Sequence, residues 1–135
     1  MKASYRSEVK SADGCFDFLF NGNRLKDFGV ADKNHHLIVN IVDGKIVSSC
    51  VCVIIPNLTR NIRPYALIEN VVTHAGFRGK GYATECLNYA KEIAEKANCY
   101  KMMLLTGSKQ EATYNFYRNA GYNSTDKTAF IQWLK

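Results

Sequence analysis

The stretch LIENVVTHAGFRGKGYAT, residues 67–84, decides the fold. It opens with an apolar run over residues 67–72 that only Glu69 and Asn70 interrupt, turns through residues 73–77, and reaches Arg78-Gly79-Lys80-Gly81-Tyr82-Ala83. A helical pattern begins there. A strand that ends in a glycine-rich turn and passes at once into a helix leaves backbone N–H groups without partners at the helix start, and such groups bind anions.

Downstream, Ala83, Cys86, Leu87, Ala90, Ile93, Ala94 and Ala97 recur at three- and four-residue spacing with charged residues between them. That spacing predicts an amphipathic helix of about four turns, stopped at Asn98. Residues 100–106 read as a short buried strand, parallel to the strand at 65–73 because a helix joins the two by a right-handed crossover. Gly107-Ser108 leads into a second helix over about residues 109–120, ended by Gly121. Two last strands are expected near 122–124 and 128–134. Upstream, residues 36–42 and 45–55 are β-rich runs separated by Asp43-Gly44, the strongest short-range sign of a hairpin, and Pro56 ends the second run. Residues 56–64, PNLTRNIRP, form a polar loop. Residues 1–34 are less regular: a short strand over 4–9 and a helix over 12–20 fit the pattern, and Gly22 and Gly29 break it. No internal repeat, low-complexity tract or linker is present.

At 135 residues the chain is expected to be one domain with a core of its own. Hydrophobic residues at 47% and charged residues at 22% are the balance of a globular protein rather than a disordered one. No membrane-spanning run and no signal-peptide block are visible, so a cytoplasmic protein is expected. The five cysteines are odd in number, with no C-x-x-C pair and no histidine at ligand spacing; they read as reduced, mostly buried thiols, with no metal site. The net charge of +6 favours an anionic partner. The basic residues form no dense cluster interleaved with aromatics, so a small polyphosphate is preferred to nucleic acid.

The order strand, Arg-x-x-Gly-x-Ala, helix, strand, helix, Phe-Tyr-x-x-x-Gly-Tyr, together with the preceding Asp-Gly hairpin, resembles the GCN5-related N-acetyltransferases over about three quarters of the chain. Those enzymes move an acetyl group from acetyl-CoA to an amine. Within them the motifs Ile68-Glu69-Asn70-Val71-Val72, Arg78-Gly79-Lys80, Cys99-Tyr100-Lys101, Phe116-Tyr117 and Gly121-Tyr122 are similar to the glucosamine-phosphate acetyltransferase branch. Asn70 departs from the Asp usual there, and Thr113 from the Asn usual four residues before the helix tyrosine. The resemblance implies a mixed α/β fold: a central, mainly antiparallel sheet of six or seven strands, helices on both faces, and one parallel strand pair at the cofactor cleft.

It also implies roles. Arg78, Gly79, Lys80, Gly81, Tyr82, Ala83 and Thr84 would hold the pyrophosphate of coenzyme A, with Gly81 keeping the backbone close to it. Val71, Val72 and Thr73 would pair with the pantetheine arm, where the parallel strands splay, and Thr113 and Phe116 would add cofactor contacts. Glu69 stands in a run that looks buried, where desolvation would raise a carboxylate toward the range of a general base for the incoming amine. Strand alternation leaves a second placement open, with Glu69 facing solvent or paired to an arginine such as Arg63. Tyr117 matches the position facing the departing sulfur. A phenol of ordinary pKa about 10 gives a proton to a thiolate of about 8.5 only uphill, by roughly 2 kcal/mol, so stabilising the thiolate is the favoured role; a core aromatic beside Phe116 is the other reading. Arg60, Arg63 and Asn70 are candidates for the acceptor, such as a sugar phosphate, with solvated loop charge as the alternative for the two arginines.

The expected activity is therefore transfer from acetyl-CoA to a primary amine of a small molecule within one ternary complex, without a cysteine nucleophile. An aminosugar-phosphate acetyltransferase in the narrow sense and a non-catalytic coenzyme A-binding module are the alternatives. The similar branch is commonly dimeric, which leaves a homodimer open.

Overall fold

The computed structural model describes Ser4–Tyr5 and residues 33–135. Five strands form one sheet in sequential order: β1 (Ser4–Tyr5), β2 (His35–Val42), β3 (Lys45–Ile55), β4 (Tyr65–Thr73) and β5 (Met102–Leu104). The first four pair antiparallel, and β4 with β5 parallel. The expected helix over 12–20 and the rest of the expected strand beyond Tyr5 lie outside the described residues.

The hairpin forms as the sequence predicts. Val42 stands opposite Lys45, and the two turn residues have positive φ, 49° at Asp43 and 78° at Gly44, the geometry of a turn whose twist matches that of the flanking strands. Ile38, Val39 and Asn40 on β2, and residues 46–50 on β3, are buried consecutively rather than alternately, as in strands at the centre of a sheet. The first two residues of β2, His35 and His36, are half-buried.

Helix α1 (Tyr82–Lys96) packs on β2, β3 and β4. Its buried face is Cys86, Leu87, Ala90 and Ala94, the stripe that the three- and four-residue spacing predicts, and the two alanines let the helix lie close to the sheet. The helix ends at Asn98, φ 59°. The amides of Asn98 and Cys99 reach back to the carbonyls of Glu95 and Ala94 at 3.0 and 2.9 Å, the paired bonds of a Schellman ending.

Cys50, Cys52 and Cys86 are buried and Cys99 is half-buried, all as free thiols. Burial pushes the Cys52 thiol up to about 12 and that of Cys86 to about 11, and raises Cys50 further. They stay protonated and pack as small apolar side chains.

Two compact units divide after Leu104. In the second, helix α2 (Glu111–Asn119) ends at Gly121, φ 96°, with Tyr122 N–H donating to the Tyr117 carbonyl at 3.0 Å. The expected strands near 122–124 and 128–134 do not form: residues 120–135 contain no strand. The 100–106 strand is shorter than expected, Met102–Leu104, and half-buried rather than buried. The six or seven strands expected are therefore five among the described residues. The run TAFIQWL has the composition of a strand, but a strand exists only through its pairing partner; here Phe130, Trp133 and Leu134 are 95%, 87% and 89% exposed. Trp133 is the chain's single tryptophan, which makes this testable by fluorescence. The dilute protein is expected to emit as a solvated indole and to be quenched by acrylamide like free tryptophan. A blue-shifted, protected emission that grows with protein concentration would show the run covered by a second copy.

Candidate functional site

Residues 67–84 supply three adjoining features of the first unit. The first is a bulge in β4. Val51 faces Glu69 and Ser49 faces Val72, so Asn70 and Val71 together stand opposite the single residue Cys50. Asn70 takes φ 53°, a left-handed conformation that asparagine tolerates better than most side chains. Bulges bend a strand and re-aim the side chains beyond the bend. Asn70 thus has a backbone role that its residue type hinted at and its apolar neighbours obscured.

The second feature is the edge of β4. Ladder pairing with β5 runs from Ala66–Met102 to Ile68–Leu104 and goes no further. Beyond Ile68, therefore, Val72 and Thr73 pair with β3 on one side while Val71 stands in the bulge, and none of the three has a strand partner on the other side among the described residues. Their backbone can accept an extended, amide-bearing ligand in the manner of an added strand.

The third is the turn. A 3-10 turn over Ala75–Phe77 is capped by His74, whose Nδ1 accepts from the Gly76 amide at 3.2 Å. Arg78 Nε donates to the Thr73 carbonyl at 3.1 Å, and Lys80 Nζ sits 5.3 Å from the centroid of the Phe77 ring. Gly79 and Gly81 have φ of 72° and 87°, and Gly81 is the N-cap of α1 with no side-chain cap. The Glu85 amide closes on the Gly81 carbonyl at 3.0 Å; ahead of it, the amides of Tyr82, Ala83 and Thr84 are the positions that an α-helix cannot satisfy from within. Together with the positive end of the helix dipole they form a cradle for a compact anion. Gly81 is required by its conformation: a Cβ built there meets no protein atom within 4 Å, so crowding inside the protein is not the reason.

Glu69 is exposed, which corrects the reading of a buried carboxylate and agrees with the solvent-facing placement that strand alternation left open, Ala66 and Ile68 being the buried residues of the strand. Arg63 is occupied. Its Nε and Nη2 donate to the carbonyls of Asn98 and Cys99 at 3.1 and 3.0 Å, tying the 56–64 loop to the end of α1. Arg60 lies with its guanidinium carbon 5.7 Å from the centroid of the Tyr100 ring, in a segment where Arg60, Asn61 and Ile62 all have positive φ.

In the second unit, the Ser108 hydroxyl donates to Thr113 Oγ1 at 3.0 Å and accepts from the Gln110 amide at 3.2 Å, fixing the entry to α2. The Tyr117 ring packs against Phe116 at 4.9 Å and edge-on to Tyr122 at 6.3 Å between centroids, so the Phe-Tyr-x-x-x-Gly-Tyr pattern is a local aromatic cluster closed by the helix ending. Among the described residues no group of three or more His, Cys, Asp or Glu could hold a metal ion, and no helix is long and apolar enough to cross a membrane.

Sequence reasoning passed over Asn40 and Ser48, which are buried and bonded to this region. The signal was there: Asn40 is a lone amide inside the β-branched run of β2.

Comparison with known proteins agrees with this architecture. The model of the acetyltransferase (GNAT) family matches residues 5–122. Glucosamine 6-phosphate N-acetyltransferase of Trypanosoma brucei brucei is 31% identical over 84 residues, 62% of this chain and 55% of that protein; the match thus spans about half the length of this relative. A putative acetyltransferase from Agrobacterium tumefaciens str. C58 superimposes with a TM-score of 0.86 at 32% identity, over 99% of this chain and 100% of the other. Glucosamine-6-phosphate N-acetyltransferase from Arabidopsis thaliana has a TM-score of 0.76 over 100% of both chains, and at 19% identity the likeness is one of fold. With the glycine turn, the strand edge and the helix order all in place, the chain belongs to the GNAT family of acetyltransferases.

Proposed function

We propose that the protein transfers an acetyl group from acetyl-CoA to a primary amine of a small molecule, by direct attack within one ternary complex. The observation that carries this reading is the segment joining β4 to α1: an edge at Val71, Val72 and Thr73 without a second strand partner among the described residues is followed, after the turn over residues 74–81, by a helix start with no side-chain cap. One part suits an extended amide-rich arm and the other a pyrophosphate, in the order in which coenzyme A presents them.

When bound, acetyl-CoA supplies the acetyl thioester. The amides of Tyr82, Ala83 and Thr84 hold the pyrophosphate, with Gly79 and Gly81 giving the turn its conformation and Arg78 and Lys80 adding positive charge. Glu69, directly or through a water molecule, takes a proton from the arriving ammonium, and its exposure leaves it reachable by a diffusing amine. Tyr117 stabilises the departing thiolate by hydrogen bonding, and Thr113 and Phe116 contribute to the cofactor site from the same helix. The amine nitrogen bonds to the acetyl carbon as the carbon–sulfur bond breaks, giving an N-acetyl amine and free coenzyme A. Arg60 and Asn70 face the acceptor side, Arg60 as an anion contact; Arg63 holds the loop that carries Arg60. The buried, protonated cysteines take no part.

An aminosugar phosphate is the second reading for the acceptor, favoured by the identity to the trypanosomal enzyme and by the arginine-bearing loop at 56–64. Calorimetry with acetyl-CoA, and then a thiol-release screen over primary amines that includes glucosamine 6-phosphate, tests both. Binding and release with at least one amine are expected. Absence of binding by the pure protein overturns the proposal, and tight binding without release across a broad panel identifies a coenzyme A-binding module instead.

A further inference from the structure

Beneath the turn, the core contains polar side chains that apolar packing alone would not call for. Among the described residues Asn40, Ser48 and Ser49 are buried polar groups, at 0%, 0% and 1% exposure. Asn40 on β2 and Ser48 on β3 stand directly opposite each other, at the last paired position before the register shifts between Asn40 and Ile41. From this one cross-strand pair, hydrogen bonds leave in two directions. Asn40 Nδ2 donates to the carbonyl of Tyr82, the first residue of α1, at 2.8 Å, and lies 3.7 Å from Cys86 Sγ one turn later. The Ser48 hydroxyl reaches the Val72 carbonyl at 3.1 Å and Thr73 Oγ1 at 2.8 Å. If Ser48 donates to Val72, the Thr73 hydroxyl is the donor to Ser48, and the two bonds are compatible.

These contacts are long-range, 42 residues for Asn40 to Tyr82 and 24 for Ser48 to Val72, so neither secondary structure nor local turn chemistry requires them. A helix start and a strand end could pack on the sheet through apolar contacts and still slide by fractions of an ångström. Directional bonds to a main-chain carbonyl at each end remove that freedom. We infer that the buried cross-strand pair Asn40–Ser48 is a positioning device: it fixes the first turn of α1 through Asn40, and the end of β4 through Ser48, in the mutual geometry that coenzyme A needs. The inference rests on the coenzyme A reading of the site. It adds that the affinity for each half of the cofactor is set by a different member of one buried pair, neither of which touches the ligand.

The division of labour gives a test that a merely structural role would not pass. Binding of coenzyme A, and of pantetheine, which lacks the pyrophosphate, is measured by calorimetry and competition on the full chain and its variants. Asn40→Ala is expected to weaken coenzyme A by about tenfold, the loss of one buried hydrogen bond to a positioned group, and to leave pantetheine unchanged. Ser48→Ala is expected to weaken both ligands. If Asn40→Ala does not fold, Asn40→Ser, whose hydroxyl is too short to reach Tyr82, takes its place with the same expectation. Equal weakening of both ligands by the Asn40 variant, or no change in either, overturns the inference. A wild-type chain that binds neither ligand overturns the coenzyme A reading and the positioning role with it, and is recognised because the failure is already present without a substitution.

Discussion

Glu69→Gln is expected to lower the rate of thiol release, at saturating acetyl-CoA and with the best amine of the screen, by about 10²–10⁴-fold, the usual contribution of a positioned general base. The substitution keeps the shape and hydrogen-bonding reach of the side chain and removes its capacity to take a proton. Coenzyme A affinity should be unchanged, because Glu69 precedes the bulge at Asn70 and the edge proposed to hold the cofactor begins after it. Position argues for the role more strongly than environment does. Glu69 is exposed. It stands one residue past Ile68, where the ladder between β4 and β5 ends, and under the proposed reading that is where an amine would meet a thioester lying along the edge of β4. An effect of less than tenfold would mean that the amine loses its proton to solvent or to another group, and that Glu69 is a solvated strand residue.

Gly81→Ala is expected to weaken coenzyme A binding by about 5–30-fold, which corresponds to the roughly 1–2 kcal/mol that an L-residue loses in the left-handed region. With φ at 87° and ψ at 0°, Gly81 sets the direction in which the chain enters α1. An alanine there either keeps the conformation under strain or relaxes it, and relaxation turns the amides of Tyr82, Ala83 and Thr84 away from their common target. Gly44→Ala provides the control. Gly44 has φ 78° in the β2–β3 turn, and like Gly81 it has no protein atom within 4 Å of a built Cβ. Both variants should lower the melting temperature by similar amounts, and only the change at Gly81 should weaken coenzyme A. Equal affinities in the two variants would remove the turn from the binding site.

The hairpin, β4 and the two helices were readable in the chain because each rests on neighbouring residues. Asp43-Gly44 demands a turn with positive φ, the stripe from Cys86 to Ala94 exists at helical spacing before any partner is known, and Asn98 and Gly121 supply the left-handed residues that end α1 and α2. The candidate site was legible for the same reason wherever it is local: the glycines and amides that open α1 belong to residues 79–84, although their placement against β4 involves Asn40 as well.

Where a residue's role depends on a distant partner, reading the chain gave less. Glu69 stood among apolar neighbours, and strand alternation left both a buried and a solvent-facing placement open; only the register, with Ala66 and Ile68 turned to the core, leaves it exposed. Arg63 looked like a ligand contact, but its guanidinium bonds the backbone at Asn98 and Cys99, 35 and 36 residues away. The run at 128–134 has the composition of a strand and forms none, since composition cannot provide an edge to pair with.

Consecutive residues are thus sufficient for the glycine turn, the helix start behind it and the family to which this order of elements belongs, because φ preferences, capping and hydrophobic period act over a few positions. The bulge at Asn70, the free edge of β4 and the Asn40–Ser48 pair that ties it to α1 were decided only in three dimensions. Their register and hydrogen bonds join strands and helices whose residues are tens of positions apart, and no local preference specifies such a pairing.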